Sequence, residues 1–374
     1  MSLAIGLLLL GSASAAPTHP DPRTVYDALA VQVAAAFDTS RGAFVGRAGV
    51  PHESAIELAF LRGSAGEKVW KDQALRSVTW ARSFLDTIGG GYYHGRDARG
   101  SGDEALGKRT DVNALRMSNL VRAWRASGDD RHQAEAAKVV DFMERVLLDG
   151  RGGFVTAQVG DRDLDPEANG VALQAWLRWS ASGLDRRRRD FALRSLDRVW
   201  ETSWQPDLGL VVANSFGEVL RAPRLDDQVE MGRAYVLAYQ LCRRKQDRER
   251  ASLIGNLMIA RFTDPEGGFR SEWMPRKHSI RKAPRESRGN ARAARFLYEL
   301  AALTGDTNYR AAADRAWEPF RKGFAKLGLD AADWALAARA AYAPEKPEAP
   351  AWANADDDAP PPRPRSVRIK LGRY

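Results

Sequence analysis

Carboxylates stand where several apolar helical stretches begin. Asp111 opens the stretch 110–127, Asp226-Asp227 the stretch 226–245, and Glu286 precedes 287–304. Acid–base cleavage of a glycosidic bond needs two carboxyls flanking that bond, one protonated and one ionised. Asp111, Asp227 and Glu286 belong to three different helices and could converge. In the Asp226-Asp227 pair one residue can cap the helix while the other points into a cavity, so Asp227 leads the set. An aspartate at a helix start is equally a cap or a dipole partner, and both readings stay open. His52, His94 and His278 also lie at or before helix starts. A pair of imidazoles would supply the two bases of an epimerisation, because they titrate near neutral pH. His52 follows Pro51 and could instead bond the backbone; His19 and His132 read as exposed bystanders.

Around these residues stand side chains suited to holding a sugar. Tyr92, Tyr93, Trp204 and Trp273 offer flat faces for the C–H surface of a ring, although the same spacing serves core packing. Asn113, Arg288 and Asn290 supply donors, and Glu53, Glu167, Asn169, Asp226 and Glu230 occupy equivalent positions. The loop Arg270–Arg288 carries seven Lys or Arg against two Glu. Arginine forks suit carboxylates, sulfates or phosphates, so an anionic glycan is the partner it points to.

Composition narrows the options. Of 374 residues 44% are apolar and 28% charged, as in soluble globular chains. The net charge of +9 favours anionic partners. No zinc-finger spacing, RNP-type motif or basic heptad region accompanies it, so nucleic acid is not expected. Cys242 is the only cysteine, which excludes an intramolecular disulfide, a CxxC centre and a multi-cysteine metal site. No metal and no cofactor is expected.

Positioning these residues requires a scaffold, and the chain repeats. Small turns such as Ala126-Ser127-Gly128-Asp129 and Leu303-Thr304-Gly305-Asp306 end one helix and start the next. Gly-rich pieces (Gly89-Gly90-Gly91-Tyr92-Tyr93, Gly152-Gly153-Phe154, Leu208-Gly209-Leu210, Gly267-Gly268-Phe269) recur about every 60 residues, one helical hairpin plus a loop. The 3.6-residue apolar period predicts twelve helices, near 22–37, 52–63, 67–87, 110–127, 130–148, 166–182, 186–203, 226–245, 247–262, 287–304, 307–323 and 330–342. The first and last are unpaired and can partner each other, closing a ring. The expected fold is all-α, an (α/α)6 toroid over residues 17–342, with its long connections gathered around one mouth.

Both ends read differently. Leu3–Leu10 followed by Ala13-Ser14-Ala15 fits a signal peptide over residues 1–16, without a basic n-region. This predicts a periplasmic or secreted protein, with no stable membrane insertion once the signal is cleaved. Residues 343–374 combine Asp356-Asp357-Asp358, Pro360-Pro361-Pro362 and five scattered cations beyond residue 362, the composition of a disordered tail.

Several motifs resemble those of the YyaL-type, spermatogenesis-associated thioredoxin-domain-containing family. They are Arg41-Gly42-Ala43-Phe44-Val45-Gly46 with Val50-Pro51-His52, Gly89-Gly90-Gly91-Tyr92-Tyr93-His94, Asn113-Ala114-Leu115 with Trp124-Arg125-Ala126-Ser127-Gly128-Asp129, and Gly289-Asn290 with Leu303-Thr304-Gly305-Asp306. The likeness runs from about residue 40 to 325 and covers the helical portion only; the thioredoxin-like domain has no counterpart in these residues. Of the family's HFEK segment only Lys108 has a match. The resemblance implies a six-hairpin glycosidase-like toroid, related in shape to sugar epimerases and glycan hydrolases. The combined expectation is an exported carbohydrate-active or carbohydrate-binding toroid, acting by hydrolysis or epimerisation. Its rival is a non-catalytic, envelope-associated binding or scaffold protein.

Overall fold

The computed structural model describes residues 21–95, 107–160, 163–183, 185–213, 217–273 and 283–344. The signal-like segment, His19, His278 and nearly all of the C-terminal tail therefore lie outside the described residues. Twelve α-helices form: α1 (Pro22–Ala35), α2 (Glu53–Ser64), α3 (Lys68–Ala81), α4 (Thr110–Ser127), α5 (Asp130–Phe142), α6 (Pro166–Gly183), α7 (Arg186–Ser203), α8 (Leu225–Cys242), α9 (Lys245–Phe262), α10 (Ser287–Thr304), α11 (Thr307–Ala316) and α12 (Ala331–Tyr342). The expected helix at 307–323 stops at Ala316, because Pro319 disfavours α-geometry in the residue before it and short 3-10 turns follow. The helices expected over 67–87 and 130–148 likewise end early, at Ala81 and Phe142, and each passes into a turn of different pitch. A short hairpin of β1 (Trp204–Gln205) and β2 (Gly209–Leu210) adds the one paired ladder among the described residues.

Even-numbered helices form an inner circle. Each packs on the next, from α2 through α4, α6, α8 and α10 to α12, and α12 closes on α2. Behind them stand α3, α5, α7, α9 and α11, with α1 backing α12. This is the expected (α/α)6 toroid. Outer helices bury one stripe, as in α7, where Ala192, Ser195, Leu196, Val199 and Ser203 recur every three or four residues among arginines. Inner helices are covered on both sides, so α8 buries Met231, Tyr235 and Leu241 together with Asp227 and Glu230. Gly128 and Gly305 close α4 and α10 in the left-handed region, and Asp129 and Asp306 cap the helices that follow.

Between hairpins the chain is pinned by one device used four times. After the Gly-rich turn, the backbone N–H of Tyr92, Phe154, Leu210 and Phe269 donates to a side-chain carboxamide oxygen, of Asn113, Asn169, Gln228 and Asn290 respectively, at 2.6–2.8 Å. Each carboxamide nitrogen donates back to the carbonyl of the same residue and to the carbonyl four residues earlier in its own chain. These latches fix the loops that lead into α4, α6, α8 and α10. Asn113 and Asn290 are fully buried in them and Tyr92 is 1% exposed, so none of the three faces the central hollow as the sequence reading expected. Asn169→Ala leaves the buried N–H and C=O of Phe154 without partners and is expected to cost about 3 kcal/mol. Urea denaturation checks this; a loss under about 1 kcal/mol would mean water replaces the amide.

Candidate functional site

Inner helices start at the end of the ring that carries the long connections, and their inward faces are charged. Deep in the hollow, Arg295 on α10 bonds Glu57 on α2 at 2.9 Å and Glu299 at 3.0 Å. Glu57 also pairs with Arg122 on α4, and Glu299 with Arg233 on α8. Burial alone would raise the Glu57 carboxyl, but Arg122 and Arg295 outweigh it and hold the group well below the usual range. The hollow is therefore crossed by ion pairs and not filled by an apolar plug.

Nearer the opening, four acids gather where α6 and α8 begin. Carboxyl oxygens of Asp165, Glu167 and Asp227 lie within 4.8 Å of one another, close enough to hold a cation. Positive charge is already supplied there by Arg221, whose Nη2 lies 2.8 Å from both Asp165 and Asp227. Asp165 also accepts from the Ala168 N–H at 3.0 Å, capping α6. Arg224 approaches Glu167 at 3.2 Å and Asp226 at 3.8 Å. A cleft of about 640 Å³ opens beside this cluster, with Asp165 and Arg221 in its wall and His94, Arg109, Val159 and Leu220 around it. Its size is that of a small-molecule site.

Crowding shifts the protons. Burial, reinforced by the charge of Asp226, pushes the Glu167 carboxyl up to about 7. Burial and then Asp165 push Asp227 up to about 8. Both therefore hold protons well above the ordinary carboxylate range, as a group of interacting acids does. Folded Asp227 keeps a proton that the unfolded chain releases between about pH 4 and pH 8, so its burial lowers stability as pH rises through that window. Asp227→Asn removes the effect. The variant is expected to match wild type near pH 4 and to exceed it by a few kcal/mol at pH 8. Parallel melting curves from pH 4 to 8 would show Asp227 to be ionised throughout.

Other expected residues are dispersed. Asp227 is wholly buried with Oδ2 unpartnered, so it reaches the cleft only through Arg221 and Asp165. Asp111 forms a two-bond pair with Arg109. Glu286 is exposed at the start of α10 and accepts no capping hydrogen bond. His52 caps α2, its Nδ1 accepting from the Ala55 N–H at 3.2 Å, while Nε2 lies 3.5 Å from Asp330. His94 lines the cleft. Tyr93 donates to Asp86, which also holds Lys108. Trp273 carries the guanidinium of Arg261 at 5.1 Å from its ring centre, and Arg288 is half-exposed beside Asp333. His132 is buried, not exposed, with one ring nitrogen lacking a partner. Asp165 and Arg221 are missed by sequence reasoning, since each sits in an irregular connection whose path no periodicity reveals. The one available signal was an acid two residues before Glu167.

No protein-family model and no curated protein matches the chain. Solved structures do. A cellobiose 2-epimerase from Bacillus thermoamylovorans aligns with a TM-score of 0.66 at 13% identity, over 80% of this chain and 88% of that one. An unsaturated glucuronyl hydrolase specific for heparin gives 0.64 at 13%, over 86% and 96%. A GH76 α-mannanase from Bacteroides thetaiotaomicron gives 0.65 at 14%, over 86% and 95%. At such identities the likeness is one of architecture. The chain has the six-hairpin toroid fold that sugar epimerases and glycoside hydrolases also have.

Proposed function

We propose that the mouth of the ring hydrolyses a glycan, with Glu167 as the proton donor to the leaving oxygen and Asp226 as the second carboxyl. The observation that carries this reading is the pairing at the start of α6 and α8. One partly exposed acid there is held protonated near pH 7 by burial and by the charge of its neighbour. Glycosidic cleavage requires a carboxyl that keeps its proton near neutral pH beside a second carboxyl. Epimerisation fits less well, because the Nδ1 of His52 is committed to capping α2. The likeness to the YyaL-type family and the preference for an anionic glycan belong to the same reading. The latter rests on arginines at the mouth, since the middle of the 270–288 loop lies outside the described residues. Export is also part of the proposal, supported by Leu3–Leu10 and Ala13-Ser14-Ala15, and cell fractionation tests it.

The test is a panel of neutral and acidic oligosaccharides followed by mass and by reducing-end release. New reducing ends support hydrolysis. Mass-conserving conversion would transfer the site to epimerisation, and binding without turnover would make the protein a lectin-like scaffold.

A further inference from the structure

On α10, Arg288 and Arg292 stand one helical turn apart, Arg288 half-exposed and Arg292 largely buried between Glu230 and Asp333. Some arginines of the hollow make short bonds: Arg295 reaches Glu57 and Glu299 at 2.9 and 3.0 Å, and the Nη2 of Arg221 reaches two aspartates at 2.8 Å. Arg233 approaches Glu299 at 3.3 Å and Arg224 approaches Glu167 at 3.2 Å. Arg292 makes no short bond. Its contacts are long, 3.4 Å to Glu230 and 3.8 Å to Asp333, and Arg288 stays 3.6 Å from Asp333. Neither guanidinium makes a hydrogen bond to another described residue. The acids beside them are only partly engaged elsewhere, since the buried Oδ2 of Asp333, which faces Arg288, has no hydrogen-bond partner. Glu230 accepts from Gln174 at 3.1 Å, and Asp333 accepts from Ser54 at 2.7 Å.

Two guanidinium forks thus retain donors on the helix next to α8, and Arg292 lies within electrostatic reach of Glu230, Asp333, Asp226 and, less strongly, Glu167. A planar, doubly accepting anion is the group that such forks match best. A neutral sugar would leave these donors facing single hydroxyls. We propose that Arg292 and Arg288 hold the carboxylate of a uronic acid residue, placing that sugar with its glycosidic oxygen toward Glu167. This deepens the hydrolase reading by naming its substrate class, and it rests on that reading only for the direction in which the sugar is turned.

Binding tests it without turnover. The full chain is titrated calorimetrically with oligogalacturonates, oligoglucuronates and oligomannuronates. Neutral and sulfated oligosaccharides of the same length serve as comparison, each at low and at 0.5 M salt. Uronate oligomers are expected to bind at least tenfold more tightly than both comparison sets. Arg288→Gln should weaken that binding about tenfold, and Arg292→Lys, which keeps the charge but loses the fork, by at least as much. Far-UV circular dichroism confirms that each variant is folded. Equal affinity for neutral or sulfated oligomers overturns the assignment, as does uronate binding that both variants retain or the absence of any uronate binding. Uronate binding lost in the variants but without cleavage in wild type would leave this site standing and remove the hydrolase reading. Cleavage of neutral glycans alone would do the reverse.

Discussion

Replacing Glu167 by Gln is expected to lower kcat at least about 100-fold, within the range that a positioned proton donor contributes, while the melting temperature stays nearly unchanged. The amide keeps the size of the side chain and can still face Arg224, but it cannot release a proton to a departing alkoxide. Wild-type turnover should carry the matching pH signature. The donor works only while protonated, and its carboxyl is pushed up to about 7, so kcat should fall as pH rises through neutrality. Glu167→Asp tests placement in a second way: it retains an acid but draws it back by one methylene, and recovery of part of the rate would mark the group as chemical. A Gln variant with full kcat and an unchanged alkaline limb would remove Glu167 from the reaction. Another carboxyl of the cluster would then have to be the donor.

Gly170→Ala is expected to destabilise the fold by about 3 kcal/mol or more, the upper range for overpacking a tight core. Alanine normally gains up to about 1 kcal/mol over glycine inside a helix, so the sign is opposite to the local preference. The cause is the crossing of α6 and α8. A Cβ at residue 170 would lie 2.5 Å from the carbonyl carbon of Glu230 and 2.6 Å from the nitrogen of Met231. Those atoms are helix backbone and cannot swing aside like a side chain. Relief requires α8 to move, and Asp226, Asp227 and Glu230 move with it. Gly183 lies at the other end of the same helix with nothing within 4 Å, so Gly183→Ala is the control and should be neutral or slightly stabilising. Equal stability of the two variants would mean that α6 and α8 stand further apart than described.

Helices were the most legible part of the chain, because an apolar stripe every 3.6 residues and Gly-Asp stops at 128–129 and 305–306 are local signals. Ring closure followed from counting unpaired helices, and α1 does back α12. The site was legible only in part. Asp226 and Glu167 stand at helix starts, where position alone picks them out. Asn113 and Asn290 stand at equivalent positions and do something else, since their amides meet backbone from a loop 21 residues earlier. Nothing in composition separates a latch amide from a ligand-binding amide. The paired positive-φ glycines at 90–91, 152–153 and 267–268 turn the chain so that the next residue presents its N–H to the helix. That geometry appears only once the loop is built. Asp165 and Arg221 lie in connections, where hydrophobic period carries no information about direction.

Because α1 rests against α12, the first of the twelve described helices waits for the twelfth. About 300 residues separate them, and at roughly 5–20 residues per second the wait is about 15–60 s. During that time Tyr26, Leu29 and Val33 of α1, all buried in the finished ring, have no α12 to cover them. Until α12 is made, a nascent chain of this design offers a greasy stripe on α1, and a chaperone binding there would be released by completion of α12.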